Sequence, residues 1–221
     1  MAYDFKDKIA LVPGAARGLG HAAAEALGSR GAHVIALART VGGLEELDDR
    51  IQAAGGSATL APIDLTKDDA MQGICRAIFD RWGRVDLLVH TAVHAPALSP
   101  VDHADPKDYA KTFETNVAGT QRVIRMVAPL LQAAPDGRAI FCADPRGGEK
   151  FFGLYGASKA AEAALVASWR AETARTGPRV ETFAPAPMPT ATRARFFPGE
   201  DRAPLSPPAT EAARLLALLD D

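Results

Sequence analysis

Two polar side chains with the spacing of one helical turn offer proton chemistry in this chain. Tyr155 and Lys159 are four residues apart at the start of a helical pattern, so they share one helical face. A free tyrosine titrates near about pH 10, and a neighbouring ammonium stabilises the phenolate and lowers the pKa. The pair is therefore predicted to donate or accept a proton near neutral pH, although this spacing taken alone is mostly structural.

A glycine-rich segment near the start of the chain is predicted to hold a phosphate group. Gly14, Gly18 and Gly20 follow an apolar, strand-like run and precede a helix-like run. Glycine permits a tight turn and a close approach of the backbone, and a helix N-terminus presents free N–H groups to an anion. No Gly-Lys-Ser/Thr sequence follows, which argues against a nucleoside-triphosphate loop. The predicted dinucleotide cradle consists of Gly14, Ala16, Arg17, Gly18, Leu19 and Gly20.

The end of the second predicted strand bears on the choice of nucleotide. NAD-binding folds of this kind place an acidic residue there for the ribose hydroxyls, but this strand ends in Ala38 and Arg39. Arg39, together with Arg17 from the glycine turn, offers forked donors that suit a 2′-phosphate. The sequence therefore predicts a preference for NADP(H) over NAD(H), unless both arginines are ordinary surface residues.

Short apolar runs alternate with longer helical patterns along the chain. Strands are predicted at Ile9–Val12, His33–Ala38, Ala58–Pro62, Val85–His90, Arg138–Cys142 and Val180–Ala184. Helices are predicted at roughly 18–29, 41–54, 67–81, 106–133, 155–175 and 210–219. This alternation predicts an α/β fold, a doubly wound, Rossmann-like parallel sheet of about six strands with helices on both faces. Ligands bind such sheets at the carboxyl ends of the strands.

Composition and charge are those of an ordinary globular protein. The chain has 221 residues, of which 48% are apolar and 24% charged, and its net charge is −2. We expect one domain over 1–221, no nucleic-acid partner and no membrane span. Cys75 and Cys142 are too few and too far apart for a disulfide framework, and the first residues lack the apolar core of a signal peptide. A cytoplasmic location is therefore expected.

Residues 185–209 are rich in proline and lack a clean period. They are predicted to form a long loop over the carboxyl edge of the sheet, and this loop is expected to act as a lid. Arg193 and Arg195 lie in this loop, followed by Phe196 and Phe197. Either the arginines bind an acidic substrate beneath an apolar lid, or they are solvated beside two phenylalanines that pin the loop.

With two further motifs, the chain resembles the short-chain dehydrogenase/reductase family along nearly its whole length. The glycine turn, Asp64 followed by Leu65, Asn116 in an Asn-Val-Ala-Gly run and Tyr155-x-x-x-Lys159 occur in the family's order and near its spacing. The resemblance implies a Rossmann-like domain that binds NAD or NADP. It also implies transfer of a hydride between the nicotinamide and a small carbonyl or alcohol substrate.

The resemblance further implies a role for each matching residue. Tyr155 is the acid or base for the substrate oxygen, Lys159 grips the nicotinamide ribose and tunes the tyrosine, and Asn116 holds a water in a proton relay. Asp64 contacts the adenine, and Leu65 lines that pocket. Beyond the glycine turn and the catalytic pair, the predicted cofactor-binding residues are Arg39, from the end of the second strand, and Asp64, Leu65, Ala92 and Thr190.

The chain departs from the family at several places near the predicted cofactor. Pro13 stands where a threonine ordinarily ties the turn to a neighbouring strand, so the proline either distorts the turn or stiffens it. Val93 and Ala186 stand where glycine is usual, and Val93 lacks the φ freedom of that residue. The family's seventh strand and tail also have no counterpart, which makes tetramers built through that edge doubtful.

The family's catalytic serine is also missing. Counting back from Tyr155 places Cys142 at its position, whereas a loop two residues shorter places Asp144 there. A thiol donates weakly, and an ionised carboxylate only accepts and repels the oxyanion formed in carbonyl reduction. Weaker stabilisation of that oxygen is expected to cost about 10²–10³ in rate, unless burial protonates Asp144.

Two further features concern metals and self-association. His90, His94 and His103 fall in one segment, but no acidic or thiol partner is fixed nearby, so no metal site is predicted; His94 is placed to touch substrate. The helix that begins at Tyr155 carries many alanines. In the family this helix pairs with its copy, so a homodimer through the 106–133 and 155–175 helices is expected; the alternative is close packing against the chain's own sheet.

Two functions follow from these residues. The first is an NADP(H)-dependent oxidoreductase for a small carbonyl or alcohol, which acts through Tyr155, Lys159 and Asn116. The second is a nucleotide-binding protein of the same fold with weak or no catalysis, which the departures around one site suggest. The retained tyrosine, lysine and asparagine favour the enzyme.

Overall fold

A parallel β-sheet forms the centre of the computed structural model, which describes residues 3–220. Its strands are β1 Ile9–Pro13, β2 His33–Ala38, β3 Ser57–Pro62, β4 Leu87–His90, β5 Arg138–Cys142 and β6 Arg179–Phe183. Their order is β3-β2-β1-β4-β5-β6, and all neighbours run parallel. The order reverses between β1 and β4, so the ligand crevice of such a sheet lies at their carboxyl ends. The predicted six-stranded, doubly wound fold is confirmed.

The α-helices lie where the sequence predicts them, with two exceptions. They are α1 Gly18–Gly28, α2 Val41–Ala53, α3 Asp68–Trp82, α4 Pro106–Phe113, α5 Gly119–Gln132, α6 Gly153–Thr173, α7 Ala191–Phe196 and α8 Pro208–Leu216. The helix predicted over 106–133 is divided, because a turn of π-helix at Glu114–Ala118 separates α4 from α5. The segment predicted as an irregular lid contains α7, whose N-cap Thr190 accepts a hydrogen bond from the Arg193 N–H.

Alternation along the strands divides the core between the two faces of the sheet. Ala10 and Val34 pack on one face with side chains of α1, α2 and α8. Leu11 and Ile35 pack on the other with side chains of α3, α5 and α6. The four central strands, β1, β2, β4 and β5, are thus buried on both sides, as expected for a parallel sheet, whereas the edge strands β3 and β6 are partly exposed.

The start of α6 sets the position of the predicted catalytic pair. Helix α6 begins two residues before the predicted bound, next to the loop that leaves the carboxyl end of β5. Tyr155 and Lys159 consequently lie on its buried face, in the first two turns. Over residues 3–220, no helix is both long and apolar enough to cross a bilayer.

Candidate active site

A cavity of about 560 Å³ extends along the carboxyl ends of the central strands. The residues that line it include nearly every site residue predicted from the sequence: Gly14, Ala16, Arg17, Gly18, Leu19, Gly20, Arg39, Asp64, Leu65, Ala92, Tyr155, Lys159 and Thr190. Asn116 is the exception, because it is fully buried behind the cavity wall. The topology thus brings together residues from many separate segments of the chain.

Two glycines at the turn between β1 and α1, Gly14 and Gly20, lie where no side chain fits. Gly14 has a φ of +95°, and a Cβ at this position would lie 2.6 Å from both the Ala92 nitrogen and Thr91 Oγ1. A Cβ on Gly20 would collide with the same Thr91 hydroxyl and with the Gly14 carbonyl. Glycine is therefore required here both for its backbone conformation and for close packing.

Pro13 stiffens this turn and does not distort it. The residue keeps the parallel register of β1 opposite Leu37, and the next N–H, that of Gly14, donates to the Leu37 carbonyl at 2.8 Å. Thr91 donates both its N–H and its hydroxyl to the Pro13 carbonyl, each at 2.9 Å. The hydroxyl that Pro13 lacks is thus supplied by Thr91, the residue directly after the neighbouring strand β4. The sequence did not point to this residue.

Charged side chains surround one end of the cavity. Arg17 and Arg39 are exposed and line the cavity. Asp64 accepts hydrogen bonds from the Thr66 N–H at 2.9 Å and the Thr66 hydroxyl at 2.8 Å. Burial tends to raise the pKa of Asp64, but these hydrogen bonds and the charges of Arg39 and Lys67 hold it below its usual value. This end therefore combines a fixed carboxylate with two guanidinium groups suited to phosphate.

The opposite end of the cavity distinguishes the two replacements considered for the missing serine. Tyr155 Oη donates a hydrogen bond of 3.0 Å to Asp144 Oδ2, and Arg146 Nε donates to Asp144 Oδ1 at 3.1 Å. Cys142 instead accepts from Lys159 through its backbone carbonyl, and desolvation raises the pKa of its thiol to about 12. Asp144, not Cys142, is the residue beside the phenol.

The expectation that Lys159 lowers the pKa of Tyr155 was wrong. Lys159 Nζ donates to Glu162 Oε2 at 2.5 Å and to the Cys142 carbonyl at 2.7 Å, so its charge is paired within a buried cluster. Burial raises the pKa of Tyr155 far above its usual value, and the negative charges of Asp144 and Glu162 raise it further. Burial also raises the pKa of Glu162, although Lys159 opposes that effect. In this structure Tyr155 is a firmly protonated phenol.

Asn116 connects two other parts of the site. Its Nδ2 donates to the His94 carbonyl and to Ser158 Oγ, each at 2.9 Å, and its Oδ1 accepts from the His94 N–H at 2.7 Å. The residue lies in the π-helical turn before α5, a feature that frequently marks functional positions. Asn116 thus fastens the segment after β4 to helix α6.

His90 lies buried between the sheet and α5. Its Nε2 is 3.0 Å from Thr120 Oγ1, and that hydroxyl already donates to the Asn116 carbonyl at 2.8 Å. Nε2 must therefore carry the proton, and Nδ1 has no hydrogen-bond partner among the described residues. Burial, aided by the charge of Lys159, lowers the pKa of His90 to about 3. Among residues 3–220, no group of three His, Cys, Asp or Glu side chains could hold a metal ion.

The predicted lid covers the phenol end of the cavity. The ring of Phe196 in α7 lies 4.9 Å from the ring of Tyr155 and 5.0 Å from that of Phe152. Arg193 forms two hydrogen bonds with Glu200, of 2.7 and 2.5 Å, and Arg195 donates to the Ala95 carbonyl at 2.8 Å. Both arginines therefore have hydrogen-bond partners within the protein and fasten the lid, although Arg195 remains exposed.

Glu162 was missed as a site residue in the sequence analysis. It lies three residues after Lys159, a spacing at which opposite charges meet on a helix, so the signal was present in the sequence. What the spacing does not reveal is that both side chains are buried: their exposed fractions are only 7% for Lys159 and 6% for Glu162.

Sequence comparisons agree with this architecture. Residues 8–201 match the sequence profile of the family described as short chain dehydrogenase. An uncharacterized oxidoreductase of Staphylococcus epidermidis is 29% identical over 187 residues, which cover 84% of this chain and 80% of the relative. A sorbitol dehydrogenase of Cereibacter sphaeroides is 33% identical over 181 residues, which cover 80% and 69%.

Solved structures with the same fold cover almost the whole chain. A protein described as a short chain dehydrogenase from Pseudomonas syringae has a TM-score of 0.93 and 28% identity, and covers 100% of this chain and 92% of its own. Another, from Escherichia coli CFT073 and complexed with NADPH, has a TM-score of 0.89 and 28% identity, with 99% and 93% covered. The profile match, the relatives and the strand order agree, and the chain belongs to the short-chain dehydrogenase/reductase family as an oxidoreductase of that type.

Proposed function

We propose that this protein is an NADP(H)-dependent oxidoreductase that acts on a small carbonyl or alcohol substrate with Tyr155 as the acid or base. One observation carries the proposal: a single cavity of about 560 Å³ connects Arg17 and Arg39 at one end with Tyr155 and Lys159 at the other. Residues 1–221 are proposed to form one dinucleotide-binding domain, in which residues 185–209 cover the substrate.

The residues present fit a dinucleotide phosphate. The crowded glycine turn admits close approach of a pyrophosphate to the N-terminus of α1, and Asp64 lies where the adenosine is expected. The guanidinium groups of Arg17 and Arg39 have no hydrogen bond or ion pair within residues 3–220 that would compete with a 2′-phosphate. The relatives complexed with NADP or NADPH support the same choice.

The other residues orient the reacting groups. When bound, the nicotinamide supplies or accepts the hydride. Tyr155 exchanges a proton with the substrate oxygen, and Lys159 has a third N–H, beyond those used by Glu162 and Cys142, for the nicotinamide ribose. Asn116 holds the segment that carries Ala92 and is proposed to support a proton-relay water.

Cofactor titration tests the nucleotide assignment. We expect NADPH to bind more tightly than NADH when each is titrated by fluorescence. Arg39→Asp should weaken NADPH by at least about tenfold, roughly 1.4 kcal/mol, and NADH much less, because only NADPH carries the 2′-phosphate. Arg175→Asp, an exposed change beyond the end of α6, is the matched control. Equal losses for both nucleotides would refute the role of Arg39.

The surroundings of Tyr155 favour a second function. Tyr155 is only 3% exposed, its phenol is bonded to Asp144, and its pKa is raised; all three oppose donation to a carbonyl. A nucleotide-binding protein with little turnover would have these properties. Tight NADPH binding without any Tyr155-dependent turnover, over a panel of small carbonyls and alcohols, would favour this alternative over the enzyme.

We also infer a homodimer. On α6 the alanines Ala157, Ala160, Ala163, Ala164 and Ala167 are exposed, so they do not pack against the chain's own sheet. Small exposed side chains permit close approach of a second helix, which supports pairing through the 106–133 and 155–175 segments.

Two free cysteines, Cys75 and Cys142, support a reducing, cytoplasmic location.

A further inference from the structure

The hydrogen bond between Tyr155 and Asp144 fixes the direction of the phenol's single proton. A phenol has one O–H donor, and Tyr155 uses it on Asp144 Oδ2 at 3.0 Å. Toward the cavity, Tyr155 Oη can therefore present only lone pairs. Lone pairs accept a hydrogen bond from an alcohol, whereas a carbonyl oxygen, which has no proton, finds no donor there.

We propose that Asp144 is the proton acceptor of Tyr155 and that this pair adapts the site to the oxidation of an alcohol. As the alcohol O–H gives its proton to Tyr155 Oη, Tyr155 passes its own proton to Asp144 Oδ2. The proposal rests on the proposed function and names the direction of that reaction.

The step balances in protons and electrons. The alcohol O–H bond and the carbinol C–H bond break, and a carbonyl double bond forms. The carbon loses two electrons as hydride to the oxidised nicotinamide that the proposed function supplies. The alcohol's proton remains on Tyr155, the phenol proton moves to Asp144, and the tyrosine ends as neutral as it began, so no buried phenolate is needed.

The surroundings of the pair suit this transfer. The rings of Phe152 and Phe196 pack against Tyr155 at 6.4 and 4.9 Å and exclude water from it. The Asp144 side chain is 33% exposed, so it connects a buried phenol with solvent. Through Asp144, the proton has a route out that does not depend on Lys159, whose ammonium is paired with Glu162.

The charged groups around Asp144 are paired with it or with one another. From its own loop, Arg146 donates to it at 3.1 Å and also pairs with Glu149 at 2.9 Å. From α6, Lys159 and Glu162 form a closed ion pair. From the lid, Arg193 is paired with Glu200. Among these cations Arg146 is in direct contact with Asp144, and it binds Oδ1 while Oδ2 accepts from Tyr155.

The sign of the pH dependence follows. Oxidation requires Asp144 as a carboxylate, so it is lost as the pH falls and that group becomes protonated. Carbonyl reduction requires the reverse step, in which protonated Asp144 returns a proton through Tyr155, so it is favoured at lower pH. Removing the carboxylate should abolish both dependences on this group.

The first test needs no substrate. In protein labelled with ¹³C at tyrosine Cζ, with Tyr155 assigned by means of Tyr155→Phe, we expect its resonance to shift as acidification protonates Asp144. Asp144→Asn should abolish that shift. Glu149→Gln, which also removes a partner of Arg146 but does not touch Tyr155, should retain it. A Tyr155 resonance that is insensitive to acid in the wild type would overturn the proposal.

The second test measures turnover of secondary alcohols and polyols with NADP⁺. Asp144→Asn should lower the rate of alcohol oxidation at pH 7 by about 10²-fold or more. It should also remove the fall of that rate toward acidic pH. Asp144→Ser should lower the rate of oxidation to a similar extent. Alcohol oxidation that is unchanged or increased in Asp144→Ser, while Tyr155→Phe remains inactive, would sink the proposal and leave the proposed function standing. Absence of any Tyr155-dependent turnover would overturn both.

Discussion

At the scale of single residues, the histidine at position 90 couples the site to stability. Its pKa is about 3 in the folded chain against about 6.5 when unfolded, so the unfolded state binds the additional proton. Stability from neutral His90 is fully present above about pH 6.5 and is lost, by about 1.4 kcal/mol per pH unit, as the pH falls toward about 3.

We therefore expect denaturation curves between about pH 6.5 and 4 to show a shallower loss of stability in His90→Asn than in the wild type. Asparagine keeps a donor for Thr120 but takes up no proton in this range. His103→Asn, an exposed change in the same segment, is the control. Identical slopes in all three proteins would contradict a buried neutral His90.

At the scale of elements, Thr91 joins β4 to the end of β1. Thr91→Val keeps the shape that fits Gly14 and Gly20 but loses the hydroxyl bond to Pro13, so unfolding free energy should fall by about 1 kcal/mol. Adding Pro13→Thr should recover part of that loss, because the hydroxyl removed from position 91 is then present at position 13, on the other side of the same contact. A double variant no more stable than Thr91→Val, in chemical denaturation, would refute this exchange of partners.

The lid gives a second prediction at this scale. Arg195 donates to the Ala95 carbonyl and thereby fastens α7 to the segment after β4. Arg195→Met should accelerate hydrogen exchange in residues 185–209 and leave the strands unchanged, whereas Arg202→Met, in the exposed part of the lid, should alter neither. If hydrogen exchange in residues 185–209 is the same in Arg195→Met as in the wild type, this contact does not hold the lid.

Elements were more predictable from the sequence than contacts. Every strand was predicted within two residues of its observed bounds, because apolar runs and turn residues report locally on the backbone. The pairing of Tyr155 with Asp144, and of Lys159 with Glu162, depends on how a loop and a helix meet at the edge of the sheet. No periodicity encodes that geometry, so the pKa of Tyr155 was predicted in the wrong direction.

At the scale of the whole molecule, the exposed alanines of α6 predict self-association. We expect the wild type to sediment as a dimer and Ala164→Arg to sediment as a monomer with an unchanged circular dichroism spectrum, because a long charged side chain prevents close helix approach. Ala53→Arg, at the exposed end of α2, should remain dimeric. A monomeric wild type would contradict the dimer. A dimeric Ala164→Arg variant would show that the interface lies elsewhere.

Proton transfer by Tyr155 is the step on which the proposed NADP(H)-dependent oxidoreductase activity depends. Its most direct test is the rate of NADPH formation, followed at about 340 nm, for wild type and Tyr155→Phe with the same panel of small alcohols. We expect measurable turnover in the wild type and a loss of about 10²-fold or more without the phenolic hydroxyl. Equal rates in the two proteins would contradict it.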